Sequence, residues 1–435
     1  MFLSTVSTMS MTSSMPFIVI TLSYVYGTAI MQNLNGQIVA LIEKGVRIPN
    51  PESVEIGQEV EIDRISGDNV VFHAGTKIFG KNTLILQGAR LGLESPTTVD
   101  NALVGPDVRL NGGYFKGAVF LEGVSFGLGG HVRDGTIMEE FSSTAHTVAL
   151  KQTILMPFVT LGSLINFCDC LMAGGASRKN HSEVGSSYIH FNYTPNQDKA
   201  TASLIGDVPR GVMLNQPPIF LGGQGGMVGP CRMEFGNVVA AGSIIRKDEL
   251  RPERLIQEMP KKSINIPFTR GIHLTLRRIM VNNMSYIANL LALMQWYRQV
   301  RYLFVGNRFP QALLDGLCQT LQTNIDERTK RLVDYCRSMP LQDNLDSAQT
   351  IRQNELHHNG LRINDAVRSL QRDDTDDGLR EPFLNEIQKR IQTEGDDYVG
   401  IIRSLPVTVS EAGTRWLQGI VNRAESRLTG VFPSL

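Results

Sequence analysis

Across residues 54–248 a glycine or other small residue follows an aliphatic or aromatic one at short, near-regular intervals. The clearest run is Phe220-Leu221-Gly222, Met227-Val228-Gly229, Phe235-Gly236 and Ala241-Gly242, with earlier instances at Ile56-Gly57, Leu91-Gly92, Val104-Gly105, Phe126-Gly127 and Leu161-Gly162. Where it is clean the spacing is about six residues, the signature of hexapeptide β-helix repeats. Each unit of such a repeat is a short strand on one face of a triangular coil, with one aliphatic side chain turned inward. A small residue follows where the chain rounds the corner, often at dihedrals that other residues resist. One coil cannot bury its own interior, so coils stack. A sandwich or barrel would instead show period-two alternation with turn signals every 8–12 residues or so. The spacing therefore predicts a parallel β-helix. Residues 112–116 and 138–152 break the pattern and are expected to be loops or irregular coils.

Glycine usage divides the chain. Of 41 glycines, 31 precede residue 251 and 10 follow it. After a linker at 251–267, with Pro260-Lys261-Lys262 and Pro267, the apolar period changes to 3.6. Leu276, Ile279, Met280, Met284, Ile287, Leu290, Leu291 and Met294 share one helical face. A second helix is expected over 310–336 and two or three more over 347–428. The division is thus a leader over 1–49, a β-helix over 50–250, the linker, and a helical domain over 268–435.

Lys+Arg and Asp+Glu both number 42. A chain without excess basic charge is not built to neutralise a phosphate backbone, so nucleic acid is not expected as a partner. The five cysteines are odd in number and scattered, and Cys168-x-Cys170 has no second pair to complete a zinc site, so free thiols in a reducing cytoplasm and no metal are expected. The first charged side chain is Glu43, and the apolar run at 16–31 is shorter than the ~20 residues of a membrane span and lacks a signal peptide's positive start. It reads as a leader, with Met31 as an alternative start, and no membrane is expected. The acidic run at 373–378 lacks the glutamate that a calcium loop places six residues or so after its glycine.

The most specific stretch is 189–248. Asn192-Tyr193, Lys199, Ile205-Gly206-Asp207, Phe220-Leu221-Gly222 and Ala240-Ala241-Gly242-Ser243 occur there in that order. The order resembles the acetyltransferase half of the bifunctional bacterial enzyme family that makes UDP-N-acetylglucosamine. In that family a uridyltransferase precedes a left-handed β-helix glucosamine-1-phosphate acetyltransferase. The resemblance covers about sixty residues by motif and roughly 54–250 by repeat pattern alone. It implies a left-handed β-helix, acetyl-CoA as co-substrate, an amino-sugar phosphate as acceptor, and a homotrimer with sites between neighbouring prisms.

Acetyl transfer to an amine needs a base for the attacking nitrogen and donors for the developing oxyanion. Asn192, Tyr193 and Lys199 suit contacts to sugar and phosphate. Gly223, Ala241 and Gly242 would let the coenzyme arm lie close along the coils. The family's base histidine belongs to a His-x-x-Tyr-x-Gly-Asp stretch, and this chain has only Asn180-His181-Ser182-Glu183-Val184-Gly185 near that place. His181, beside Arg178 and Lys179, is the first candidate base, with His190 and His146 as runners-up. Residues 171–179 also echo the glycine-rich phosphate loop of sugar nucleotidyltransferases, which needs a strand before it and a helix after it. The expected function is acyl-CoA-dependent N-acetyl transfer to an amino sugar. The alternatives are a pyrophosphorylase-like nucleotidyltransferase, or a non-catalytic β-helix scaffold that binds a sugar nucleotide.

Overall fold

A computed structural model describes residues 34–189, 200–258, 265, 267, 276–341, 348–373 and 378–435. Its first half is the parallel β-helix expected from the repeats, and its second half is helical. Each coil lays one short strand on each of three faces. The first face climbs in register from Val71–Phe72 through Arg90–Leu91, Arg109–Leu110, Ser125–Phe126 and Ser143–Thr144 to Leu255–Ile256. The second face runs from Glu55–Ile56 to Ile244–Ile245, and the third from Leu84–Ile85 to Arg232–Met233. Successive first-face partners such as Arg109, Ser125 and Ser143 are 16 and 18 residues apart, close to three sixes. Two steps are longer, from Thr160 to Glu183 and from Glu183 to Phe220. The largest insertions in the β-helix therefore fall in these two coils, and smaller ones lengthen the second-face steps from Glu55 to Lys77 and from Lys77 to Thr98 to 22 and 21 residues.

The irregular stretches foreseen at 112–116 and 138–152 are regular coils. Gly113–Lys116 is a second-face strand, and 138–152 holds the strand Ser143–Thr144 and the start of Val148–Leu155. The period was hidden because Phe141, Thr147 and Gln152 turn these corners at positive φ (58°, 58° and 48°) where glycine is the usual residue. Residues 36–44, assigned to the leader from sequence, form helix α1 (Gly36–Lys44). Asn35 caps it by accepting from the Gln37 amide at 3.0 Å, and Ile38, Leu41 and Ile42 are buried in the core.

Helix α2 (Val208–Gly211) lies in the second insertion. Helix α3 (Leu276–Gln295) leads through a π turn and a 3-10 turn ending at Phe304 into α4 (Gln311–Arg337). Then follow α5 (Ala348–Asn359), α6 (Arg362–Gln371), α7 (Arg380–Glu394), α8 (Tyr398–Arg403) and α9 (Val407–Thr429). Helices α3 and α4 lie against the third face and run in opposite directions. Going down the coils from α3, the Asn282 amide donates to Asp248 (2.9 Å), Asn289 accepts from the Val208 amide (2.9 Å), and Tyr297 donates to Glu139. Going up along α4, Gly316 sits against Leu103, Asn324 donates to the Gly135 carbonyl (2.8 Å), and Arg328 donates to Gln152 (2.8 Å) and pairs with Asp169 (2.9 Å). Four helical residues rise about 6 Å and one coil about 4.8 Å, so side chains one turn apart reach neighbouring coils.

The coils anticipate this docking. Third-face dyads such as Leu84–Ile85, Leu103–Val104, Val119–Phe120 and Ile137–Met138 are buried at both positions, whereas Arg90–Leu91 and Arg109–Leu110 on the first face are exposed outside and buried inside. The buried apolar residues of both halves form one continuous core.

Candidate active site

The prism has three edges, and the described residues singled out by sequence are divided between two of them. Asn192, Tyr193, Lys199 and His190 lie outside the described residues. Their flanks are described: Ile189 ends a second-face strand and Ser203 begins a third-face strand. Residues 190–199 thus connect the second face to the third. The far end of this connection is anchored, since the Ala200 carbonyl accepts from Asn283 of α3 (3.0 Å) and the Thr201 hydroxyl donates to Asp169 (3.3 Å). A Cβ on Gly229 would lie 2.0 Å from the Thr201 carbonyl oxygen, so only glycine lets the next coil close here.

His181 is on a different edge, between the third and first faces. After the strand Ile165–Met172, which ends on the third face, the chain forms a small antiparallel hairpin of Gly175–Ser177 and Asn180–His181. The glycine-rich run at 171–179 is therefore a strand end and a hairpin. No helix follows it, and the phosphate-cradling geometry of a nucleotidyltransferase loop is not formed. Ser182 ties the hairpin down, donating to the Ala173 carbonyl and accepting from the Ile219 amide, both at 2.9 Å. Arg178 reaches down two coils, its guanidinium 5.1 Å from the centre of the Phe141 ring. The half-buried His181 ring places Nδ1 at 3.3 Å from the Ser182 carbonyl oxygen. A carbonyl only accepts, so this bond holds the proton on Nδ1 and leaves Nε2 of the neutral ring as an acceptor.

Gly223, Ala241 and Gly242 occupy the third edge, between the first and second faces. Ala241 and Gly242 are exposed, and a Cβ on Gly242 would meet nothing within 4 Å. Glycine is needed there for its φ of +76°. Close stacking of coils depends instead on Gly222, whose Cβ would lie 2.4 Å from the Ala241 nitrogen. His146 stands exposed on this same edge, its Nδ1 3.4 Å from the Thr147 hydroxyl. Of the other motif residues, Asp207 accepts from the Arg210 amide (2.9 Å) and pairs with its guanidinium, so the Ile-Gly-Asp step is a strand end and a helix cap.

The sequence reading missed a group of buried charges under the helical domain. Glu139 and Glu140 are neighbours at a corner, both buried, and accept from Tyr297 and Arg301. Burial, and then the adjacent Glu140, push the Glu139 carboxyl up to about 7. Two adjacent acids directly after the apolar pair Ile137-Met138 were the available signal. Among the described residues no group of three or more His, Cys, Asp or Glu is placed to hold a metal, and no helix is long and apolar enough to cross a membrane. The acidic run at 374–377 and residues 1–33 lie outside the described residues.

No protein-family model matches the chain. By sequence it is similar to the "Bifunctional protein GlmU" of Thermotoga sp. (strain RQ2), 24% identical over 212 residues that make up 49% of this chain and 42% of that protein. The protein of the same name from Streptococcus suis (strain 98HAH33) is 27% identical over 205 residues, 47% of this chain and 39% of that one. The chain thus matches less than half the length of these curated relatives. Among solved structures, LpxA from Acinetobacter baumannii aligns over 65% of this chain and 95% of its own at 12% identity and a TM-score of 0.19. A UDP-N-acetylglucosamine acyltransferase from Campylobacter jejuni aligns over 67% and 88% at 16% identity and a TM-score of 0.16.

Proposed function

We propose that this relative of the bifunctional GlmU proteins is a sugar-directed acyltransferase. It would move an acyl group, acetyl from acetyl-CoA in the first instance, to the amino group of an amino sugar or its phosphate. The observation that carries the reading is the place of the insertion. The stretch with Asn192, Tyr193 and Lys199 joins the second-face strand ending at Ile189 to the third-face strand beginning at Ser203, and Ile205-Gly206-Asp207 follows it, in the motif order of the acetyltransferase half.

In this reading Asn192 and Lys199 hold the sugar and its phosphate, with Tyr193 against the ring. His181 Nε2 takes a proton from the acceptor nitrogen, which attacks the thioester carbonyl. The tetrahedral oxyanion collapses, the C–S bond breaks, and the thiolate leaves and takes up the proton. The open edge at Gly223, Ala241 and Gly242 accommodates the coenzyme arm.

His181 stands on one edge of the prism and Gly223, Ala241 and Gly242 on another, so in this reading one site draws on more than one chain. A homotrimer brings an edge of one copy against a different edge of the next. The third face is covered by the chain's own helices, which leaves the first and second faces for assembly. Exposed apolar side chains gather there: Leu93, Leu128 and Leu164 on the first–second edge, and Phe220, Val238 and Leu255 at outward positions of three successive first-face coils. Leu164 is 63% exposed at a φ of +58°, unfavourable on both counts for a residue left in water.

The test is thiol release from acetyl-CoA with glucosamine-1-phosphate and a panel of amino sugars, on protein starting at Met31. Release that disappears in both Asn192→Ala and His181→Ala supports acyl transfer with His181 as base. Loss in Asn192→Ala alone removes His181 from the mechanism. Pyrophosphate release from UTP would favour the nucleotidyltransferase reading. Silence in both assays would favour the non-catalytic scaffold, which the missing His-x-x-Tyr-x-Gly-Asp motif keeps in view.

A further inference from the structure

Asparagine is a poor choice for the buried face of a helix, because its amide competes with the helix's own hydrogen bonds and is costly to bury without partners. Helix α3 nevertheless buries three, Asn282, Asn283 and Asn289, each at most 3% exposed. Their side chains leave the helix for main-chain groups in one region of the β-helix. Asn283 Nδ2 donates to the Ala200 carbonyl (3.0 Å), and Asn289 Oδ1 accepts from the Val208 amide (2.9 Å). Asn282 Nδ2 donates to the Pro230 carbonyl (3.3 Å), which also accepts from Arg278 of α3 (2.7 Å).

Among the described residues none of these three main-chain groups bonds to another main-chain group. In a regular coil the neighbouring coil satisfies such groups. Where the chain departs from the repeat it cannot, and α3 supplies the missing partners. The three points are also close to one another, since Gly229, beside Pro230, packs against the Thr201 carbonyl. Helix α4 reaches the same stretch through Asp169, which accepts from the Thr201 hydroxyl and pairs with Arg328 at 2.9 Å. Elsewhere α4 shows what docking on a regular coil looks like: its buried Asn324 donates to the Gly135 carbonyl (2.8 Å), far from any departure of the chain.

The stretch so held, 200–208, begins directly after Lys199 and contains Ile205-Gly206-Asp207. Whatever fixes Ala200 and Val208 therefore fixes the point from which the candidate sugar-binding residues are carried. We propose that Asn283 and Asn289 of α3 are positioning residues for the acceptor sugar, acting through the Ala200 carbonyl and the Val208 amide, so that the helical layer takes part in acceptor binding without touching the acceptor. The inference rests on the acyl-transfer reading and gives the helical half of the chain a role in it.

The experiment is steady-state kinetics on the full chain, with acetyl-CoA and glucosamine-1-phosphate varied in turn, for the wild type, Asn283→Ala, Asn289→Ala and the matched control Asn324→Ala. Asn283 and Asn324 each give up a buried donation to a coil carbonyl, so their melting temperatures should fall by similar amounts. Loss of folded protein alone lowers kcat and leaves both KM values in place. The expected result is a KM for glucosamine-1-phosphate raised roughly tenfold in Asn283→Ala and in Asn289→Ala, the size of one lost hydrogen bond, with the KM for acetyl-CoA unchanged. Asn324→Ala should keep both KM values. Circular dichroism shows which variants are folded, and Asn289→Ala decides if Asn283→Ala is not. An acceptor KM that stays at the wild-type value in the folded α3 variants, or rises equally in Asn324→Ala, would overturn the positioning role and leave acyl transfer standing. If the wild type turns over no acetyl-CoA, calorimetric titration with glucosamine-1-phosphate takes the place of kinetics. The same tenfold loss in the α3 variants would then keep the positioning role on a non-catalytic scaffold, and no binding to the wild type would overturn both readings.

Discussion

On the first face the outward position of successive coils holds Arg90, Arg109, Ser125, Ser143, Thr160 and Glu183, and on the third face it holds Leu84, Leu103, Val119, Ile137, Ile154 and Leu171. Both faces are made by the same coils, with the same inward ladder and the same parallel hydrogen bonding. They differ in what lies outside: water on one, α3 and α4 on the other. The helices therefore act as a second layer that the third face was built to receive, and the two layers close one core. Their contact is not only apolar. Arg328 with Asp169 and Arg301 with Glu140 are pairs at most 7% exposed, and each links a helix to a coil corner.

If the third face depends on the helices and the first does not, the largest loss should follow from breaking a buried link. Arg328→Met leaves the Asp169 charge without its guanidinium and is expected to cost about 3–5 kcal/mol, read by urea unfolding. Adding Asp169→Asn, which removes the charge at a corner where φ is +53°, should recover part of that loss. Ile137→Ala on the third face should cost about 2–5 kcal/mol, whereas Ser125→Ala on the first should stay within about 0.5 kcal/mol. Equal effects for those two substitutions would mean that the faces do not differ energetically.

A pH series sharpens the same comparison. Glu139 is held protonated further up the pH scale in the folded chain than in the unfolded one, where its ordinary value is 4.5. From that value up to about 7 the unfolded chain binds fewer protons, so stability falls as pH rises through this window and the loss is complete above it. Glu139→Gln keeps an acceptor for Tyr297 and should flatten the slope between pH 5 and 7 in thermal melts. A slope unchanged by the substitution would assign it to other groups. Leu164→Asp on the open edge should leave the melting temperature of the single chain unaffected and lower the assembled mass in sedimentation, if that edge meets another copy. Arg109→Ala, outward on the first face, should change stability by no more than about 0.5 kcal/mol.

Much of this was legible from residue order. The six-residue spacing of small residues led to the β-helix, and the 3.6-residue period of Leu276, Ile279, Met280, Met284 and Ile287 led to α3. The apolar pairs Leu84-Ile85, Leu103-Val104, Val119-Phe120 and Ile137-Met138 also announced a face covered on both sides, although spacing alone drew attention to the glycines. The site was less legible. Motif order placed His181 and Gly223 within about one stretch of chain, yet they lie on different edges. Which edge a residue meets depends on the number of residues since the last corner, and the two insertions reset that count. Glu139 and Glu140 escaped notice because a carboxylate pair is tolerable inside a protein only when partners distant in sequence, here Tyr297 and Arg301, come to it.

The sequence by itself determined the coil, because an inward aliphatic and a corner-turning small residue every six positions or so leave few other ways to bury the apolar side chains. It determined α3 and α4 as amphipathic helices for a comparable local reason. Only the tertiary structure decided which face those helices cover, which edge each described candidate residue occupies, and which buried charges meet across the two layers. Those outcomes depend on contacts between residues more than 150 positions apart, such as Tyr297 with Glu139 and Arg328 with Gln152, and no local pattern encodes them.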